Sequence, residues 1–288
     1  MKLALGTVQF GLPYGISNQS GQVSQEEVKA ILSEARLNYI DTLDTAITYG
    51  ESETCLGEVG IDGFNVITKL PAFPENIQSI NSWVNEQIKT SLKRLNTSKL
   101  YAILLHRPDQ LLTSKGDILW QSLEKLKKDG VVNKIGVSIS DPSELGNLTK
   151  SFSIDLVQTP FNLVDQRLVL SGWLEKLYAS GVEVHTRSAF LQGLLLMPIT
   201  AIPKKFKYWS PLLNTWHDWL LDNDISAAEA CIGFIQAHSQ IDKMVVGVQS
   251  KQQLKQLIQA EKNQANQVWP DINCSDKDLI NPANWNIL

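Results

Sequence analysis

The chain reads as a (β/α)8 barrel, and three observations carry that expectation. Eight short runs rich in Val, Ile and Leu recur along 288 residues, separated by segments with helical periodicity. No stretch rich in Pro, Gly or Ser divides the chain, so one barrel over residues 1–288 is expected, close to the roughly 250 residues typical of that fold. The first apolar run is not followed by G-x-G-x-x-G, which removes the main reason to prefer an open doubly wound sheet.

Taken in order, the expected strands are Leu3–Thr7, Tyr39–Leu43, Phe64–Thr68, Leu100–Leu105, Lys134–Val137, Leu156–Thr159, Val182–Thr186 and Met244–Val246. After the first, Ser24 precedes Gln25-Glu26-Glu27 as an N-cap with the makings of a capping box, and the helix it starts buries Val28, Ile31, Leu32 and Ala35. After the third, Ile77, Ile80, Val84, Ile88, Leu92 and Leu95 are spaced to share one helical face. After the fourth, Leu119, Leu123 and Leu126 repeat the pattern until Lys127-Lys128-Asp129-Gly130, where cations and then a glycine end a helix. Extra length lies in two places, from Leu194 to Ile225 and in the tail after Gln259.

Composition narrows the function. A hydrophobic content of 43% supplies a large core and excludes a disordered or fibrous chain. With 26 Lys+Arg against 30 Asp+Glu and no basic stripe, a general nucleic-acid binder is not expected. Cys55, Cys231 and Cys274 form neither a C-x-x-C site nor a disulfide framework, which points to a reducing compartment. The opening residues lack a signal-peptide core, and no run approaches the roughly 18 to 20 apolar residues of a membrane span, so a soluble cytoplasmic protein is expected. His185, His217 and His238 show no metal-ligand spacing with any cysteine, and no metal is expected.

Barrel enzymes build their sites at the carboxyl ends of the strands. Polar residues there are Asp44 after the second run, Tyr49 five residues later, Lys69 after the third and His106 after the fourth. Singly, each has an ordinary structural explanation as a cap, a packed ring, a solvated ammonium or a satisfied core imidazole. Together they form a chemical unit. A tyrosine, with an ordinary pKa of about 10, is a poor proton donor unless an adjacent ammonium stabilises its anion. Lys69 can supply that charge, Asp44 can hold the ammonium, and His106 can donate a hydrogen bond to a substrate oxygen. Such an assembly suits protonation of a carbonyl oxygen as it gains negative charge. A lysine at a strand end also suits Schiff-base chemistry, so an aldolase stands as an alternative.

The chain resembles the aldo-keto reductases. The stretches that carry the resemblance are Asp44-Thr45-Ala46-Ile47-Thr48-Tyr49-Gly50-Glu51-Ser52-Glu53, Ile67-Thr68-Lys69, Ser91-Leu92-Lys93-Arg94-Leu95, Leu104-Leu105-His106-Arg107-Pro108-Asp109 and Ile135-Gly136-Val137-Ser138, in the family's order over nearly the whole chain. The resemblance implies a barrel that binds a nicotinamide cofactor without a Rossmann fold and reduces an aldehyde or ketone, a small-molecule carbonyl substrate. Asp44, Tyr49, Lys69 and His106 match its catalytic tetrad, with Tyr49 as general acid. Ser138 and Gln158 match residues that bind the carboxamide, and Gly6 and Thr7 match the loop near the cofactor. Ser188, Leu191 and Gly193 fall in a segment resembling the loop that wraps the pyrophosphate, while Gly247, Ser250, Lys251 and Gln253 match the adenosine end. A cofactor-occupied barrel that senses redox state without turnover is the non-enzymatic alternative.

The chain departs from the family pattern at several positions. Arg187 stands where many relatives stack an aromatic ring on the nicotinamide, and a guanidinium there can stack, bind the diphosphate or meet an anionic substrate. Ile139 follows Ser138 and Phe161 precedes Asn162, in place of the usual Asn and Tyr. Lys251 is the single cation in the adenosine segment, so NADPH is expected from the family habit with NADH also open. The opening Leu5-Gly6-Thr7-Val8-Gln9-Phe10-Gly11, followed by Tyr14-Gly15-Ile16-Ser17-Asn18, resembles a bacterial subgroup associated with unusual surface sugars. Trp209 and Trp216 in the long loop are candidates for an aromatic pocket wall, and Trp269 and Trp285 for the same or for packing the tail.

Overall fold

The structure, a computed structural model, describes residues 1–16, 18, 20–263 and 268–286; Ser17 of the subgroup motif lies outside them. Eight parallel strands pair in chain order and close on themselves. They are β1 (Leu3–Gly6), β2 (Thr42–Asp44), β3 (Asn65–Leu70), β4 (Leu100–Leu105), β5 (Val132–Ser138), β6 (Leu156–Pro160), β7 (Glu183–Arg187) and β8 (Lys243–Gly247). The longer helices are α1 (Gln25–Leu37), α2 (Ser52–Val59), α3 (Ile80–Arg94), α4 (Gly116–Lys128), α5 (Leu145–Ser151), α6 (Trp173–Ala179), α7 (Ser210–Asp222), α8 (Ala227–Gln236) and α9 (Lys251–Lys262). This is the (β/α)8 barrel expected from the alternation.

The period-2 alternation of each strand sorts the core into two parts. One large apolar cluster packs the outward faces of the strands against the helices, including Val28, Ile31, Leu32 and Ala35 of α1 and Leu119, Leu123 and Leu126 of α4. A second, small cluster of Ile67, Ala102, Leu104 and Leu156 fills the barrel interior. Lys69, His106 and Gln158 each come two residues after a member of that inner cluster. They therefore share its inward direction and sit one layer nearer the carboxyl-terminal mouth, which is how the strands deliver polar groups to one place.

Seven of the eight strands shift by one to three residues at one or both ends from the sequence reading, and three differences bear on the local structure. The second strand starts at Thr42 rather than Tyr39, because Tyr39 adopts a left-handed φ of 58° and sits 87% exposed in the turn that closes α1. Helix α3 begins at Ile80, where the Ser79 hydroxyl accepts from the Ser82 amide, leaving Ile77 half-buried ahead of it. Helix α9 continues to Lys262, so the tail begins later than Gln259. Ser24 does cap α1, accepting from the Glu27 amide at 3.3 Å, but the Glu27 carboxylate reaches across to the Lys251 amide at 2.6 Å instead of folding back.

The tryptophans bind the long loop to the tail. Trp216 is fully buried, donates from Nε1 to the Leu195 carbonyl at 3.0 Å and stacks on Trp219, which meets Trp269. Trp209 Nε1 donates to Asp276 at 3.0 Å, and Trp285 Nε1 to the Leu279 carbonyl at 3.0 Å. None of Trp209, Trp216, Trp269 or Trp285 lines the large cavity at the barrel mouth, so the aromatic wall expected of the long loop is replaced by packing. Among the described residues, no helix is long and apolar enough to cross a membrane.

Candidate active site

An elongated cavity of about 970 Å³ opens at the carboxyl ends of the strands. Beneath its floor, Lys69 is 1% exposed and its ammonium donates to Asp44 Oδ2 at 2.6 Å and to the Thr45 carbonyl at 2.9 Å. The other Asp44 oxygen accepts from Gln158 Nε2 at 2.7 Å, so both carboxylate oxygens are fixed. Lys69 Nζ lies 5.1 Å from the centre of the Tyr49 ring. Burial opposes the ammonium charge, but the Asp44 carboxylate and the Tyr49 oxygen outweigh it and hold the Lys69 pKa above its ordinary value.

His106 meets Tyr49 edge to face, with ring centres 6.1 Å apart. Burial, reinforced by the positive charges of Lys69 and Arg187, lowers the His106 pKa to about 4, so the imidazole is neutral near pH 7 and can donate a hydrogen bond to a ligand without carrying charge. Asp44, Tyr49 and His106 line the cavity, while Lys69 lies behind them.

The loop carrying Tyr49 is held by close backbone packing. A Cβ on Gly11 would run into the Tyr49 carbonyl oxygen and the Ser52 amide, and Gly50 turns the chain there with a φ of +52°. Below it, the Ser52 hydroxyl donates to the Thr7 carbonyl at 2.9 Å and lies 2.8 Å from Thr7 Oγ1 and 3.1 Å from Thr45 Oγ1. Glu53 is 1% exposed and fully satisfied by Thr68, Ser91 and Arg94, the last through two contacts of 2.8 and 2.6 Å. Ser52 and Glu53 stand in the motif of the second loop, yet their supporting role shows only when α2 and α3 are folded over it.

Of the other residues singled out in the sequence, Gly6, Thr7, Ser138 and Gln158 line the cavity near Asp44, Tyr49 and His106. Arg187, Ser188, Gly193, Gly247 and Gln253 line it as well, with Arg187 close enough to His106 to act on its charge. Leu191, Ser250 and Lys251 do not: Leu191 is buried in the apolar core, Ser250 Oγ caps α9 by accepting from the Gln253 amide at 3.1 Å, and Lys251 points to Glu34. The structure adds lining residues that the sequence did not single out for the cavity: Gln9 and Tyr14 of the opening stretch, and Ser140, Gln192 and Gln256. Tyr14 and Gln192 join across the mouth, Gln192 Nε2 donating to the Tyr14 hydroxyl at 3.0 Å.

The donor set fits a nicotinamide dinucleotide. The cavity volume lies at the upper end of the 300–1,000 Å³ usual for cofactor-sized ligands. Gln9 Oε1 is buried without a partner among the described residues, beside Gly247, where there is no room for a Cβ. The Ser138 hydroxyl and Gln158 Oε1, 3.4 Å apart, suit a carboxamide. Arg187 is anchored by the Ile139 carbonyl at 3.1 Å and by Ser188 Oγ at 3.3 Å, and among the described residues it forms no ion pair. Asp44 and Lys69 cancel and His106 is neutral, so Arg187 leaves the cavity with a net positive charge, as an anionic ligand requires. No group of three or more His, Cys, Asp or Glu among the described residues could hold a metal ion.

A parallel barrel thus brings a buried ion pair, a phenol and a neutral imidazole together at one cavity. The family model of the aldo/keto reductases matches residues 2–269, and the chain belongs to that family. It is 24% identical over 282 residues to the uncharacterized oxidoreductase YqkF of Bacillus subtilis, covering 90% of each chain. It is 25% identical over 214 residues to an uncharacterized oxidoreductase of Schizosaccharomyces pombe, covering 70% of this chain and 74% of that one. Among solved structures it is similar in fold to the holo form of the aldo-keto reductase AKR11C1 of Bacillus halodurans. That likeness has a TM-score of 0.74 and 21% identity, over 94% of this chain and 89% of the other.

Proposed function

We propose that the chain, as one barrel unit over residues 1–288, is a cytoplasmic nicotinamide-dependent reductase that converts a carbonyl to an alcohol with Tyr49 as general acid. The observation that supports it best is the Lys69 ammonium, fixed by Asp44 at 2.6 Å and set against the Tyr49 ring. Tyr49 donates a hydrogen bond to the carbonyl oxygen and releases its proton to that oxygen as negative charge develops there. Lys69 offsets the charge left on the phenolic oxygen, and Asp44, itself held by Gln158, keeps Lys69 charged and in place. His106 orients the same carbonyl by donating a hydrogen bond. Ser138 and Gln158 hold the carboxamide, Arg187 faces the diphosphate or an anionic group of the substrate, and Gly6, Thr7, Ser188, Gly193, Gly247 and Gln253 shape the channel. Bound there, a reduced nicotinamide supplies hydride to the carbonyl carbon.

The same geometry weakens the aldolase reading. A Schiff-base lysine must lose its proton to act as a nucleophile, whereas Lys69 is held protonated by its neighbours. For substrate we propose a sugar-derived carbonyl, since the mouth is lined by hydrogen-bonding side chains such as Ser140, Gln192 and Asn281 together with Arg187. The cytoplasmic assignment rests on the three free thiols Cys55, Cys231 and Cys274.

The test is Tyr49→Phe, assayed by oxidation of the reduced cofactor against a panel of aldehydes and ketones. Removing a general acid lowers kcat by about 10²–10⁴-fold, while the dissociation constant of the cofactor stays within about twofold of wild type. Undiminished turnover would remove Tyr49 from the reaction. Cofactor binding without turnover in the wild type would favour the sensing barrel.

A further inference from the structure

We propose that the adenosine end of the cavity selects a free ribose 2′-hydroxyl, so that this chain takes NADH in preference to NADPH. The inference rests on the reading above, in which the dinucleotide runs along the cavity from Tyr49 towards α9. A 2′-phosphate brings close to two negative charges and three acceptor oxygens, and its recognition calls for unpaired cations or free N–H donors. At this end the described residues show no unpaired cation, and three backbone amides around the start of α9 already have partners.

The cations are neutralised from behind. Lys251 Nζ lies 3.4 Å and Lys255 Nζ 3.8 Å from the same Glu34 Oε2, on the face where α9 packs against α1. Glu34 is buried to 8% exposure, and its other oxygen accepts from Asn38 at 3.0 Å, so it does not swing away. Among the described residues, Arg187 is the one Lys or Arg that lines the cavity. It acts on His106, at the opposite end.

The donors at the start of α9 are occupied as well. The Lys251 amide donates to Glu27 Oε1 at 2.6 Å, the Gln253 amide to Ser250 Oγ at 3.1 Å, and the Gln249 amide to Gln253 Oε1 at 2.7 Å. A helix N-terminus that could receive an anion has already received one, the carboxylate of Glu27. What this end of the cavity offers is neutral, namely Gln249, Gln253 and Gln256 beside Val248 and Leu257. Amide side chains pair with hydroxyls as readily as with any neutral group, and the two carboxylates of Glu27 and Glu34 balance the two ammonium groups of Lys251 and Lys255, so no net positive charge remains there to draw a phosphate.

The experiment is a fluorescence titration of the whole chain with NADH and with NADPH at about 0.1 M salt, without substrate. The expected result is at least tenfold tighter binding of NADH, a difference of about 1.4 kcal/mol. In Glu34→Gln, which releases both lysines, NADPH binding tightens at least threefold and NADH binding does not change; Glu27→Gln, at the partly exposed end of α1, moves the ratio the same way and serves if Glu34→Gln does not fold. Competition gives a second reading, with ADP displacing NADH better than adenosine 2′,5′-bisphosphate. Equal or tighter binding of NADPH by the wild type, or an unchanged ratio in the folded variants, would overturn the inference. Binding of neither cofactor would instead overturn the dinucleotide reading on which it rests.

Discussion

Replacing Lys69 with methionine tests whether the buried pair at the floor of the site is ionised. Asp44 and Lys69 lie 2.6 Å apart with side-chain exposures of 5% and 1%. The variant leaves the Asp44 carboxylate out of water with one remaining donor, Gln158 Nε2 at 2.7 Å. Breaking a buried pair by removing one partner costs about 3–5 kcal/mol. The surviving charge-directed hydrogen bond, worth about 1.5–3 kcal/mol, persists in the variant and places the loss at the lower end, near 3 kcal/mol. Urea unfolding of wild type, Lys69→Met, Asp44→Asn and the double variant measures it as a cycle. Adding Asp44→Asn to Lys69→Met removes the stranded charge and regains about 1–3 kcal/mol, since a neutral amide is cheaper to bury than an unpaired carboxylate. If Lys69→Met unfolds at the wild-type midpoint, or if Asp44→Asn adds a separate cost to it, the pair is not ionised and the electrostatic account of Tyr49 fails.

Two further outcomes follow from the same geometry. The folded His106 pKa lies near 4 against an ordinary value of 6.5, so between those values the unfolded chain binds the extra proton. The stability that His106 contributes relative to His106→Gln is therefore constant above about pH 6.5 and falls by up to about 3 kcal/mol as pH drops to about 4; denaturation of both proteins near neutrality and again at about pH 4.5 checks it, and a rise in relative stability on acidification would contradict it. Gly11→Ala forces a Cβ against the Tyr49 carbonyl, an overpacking cost of about 1–3 kcal/mol, with a thermal midpoint lowered accordingly and kcat reduced more than cofactor affinity; a variant with wild-type midpoint and kcat would show that the loop yields freely.

The candidate tetrad was legible in the sequence because Asp44, Lys69 and His106 each follow an apolar run and Tyr49 lies five residues after Asp44, and the inward parity of Ile67, Leu104 and Leu156 carries to Lys69, His106 and Gln158. The eight strands were legible for the same reason, save where a left-handed Tyr39 ended a helix inside an apolar-looking stretch. What could not be read was the partner of each charge. Lys251 stood as the one cation of the adenosine segment, and only the packing of α1 places Glu34 beside it. His185, taken from the sequence for a possible metal ligand and rejected, lies inside the barrel with Nε2 2.5 Å from Glu183 Oε1. Tyr101 and Lys134 complete that cluster, and together these contacts lower the Glu183 pKa to about 2 against the opposing effect of burial. Such pairings join β4, β5 and β7, and no local spacing announces them. Gln9 stood in the opening stretch without a role, because the placement of its buried Oε1 beside Gly247 depends on β1 and β8 closing the barrel.

The most direct test of the central claim follows the hydride itself. The wild-type protein is incubated with reduced cofactor deuterated at C4 of the nicotinamide and a carbonyl that it turns over, and the alcohol is examined by mass spectrometry, with Tyr49→Phe run in parallel. The expected result is one deuterium on the former carbonyl carbon of the wild-type product and almost no alcohol formed by the variant. Unlabelled alcohol, or equal labelling by wild type and Tyr49→Phe, would contradict it.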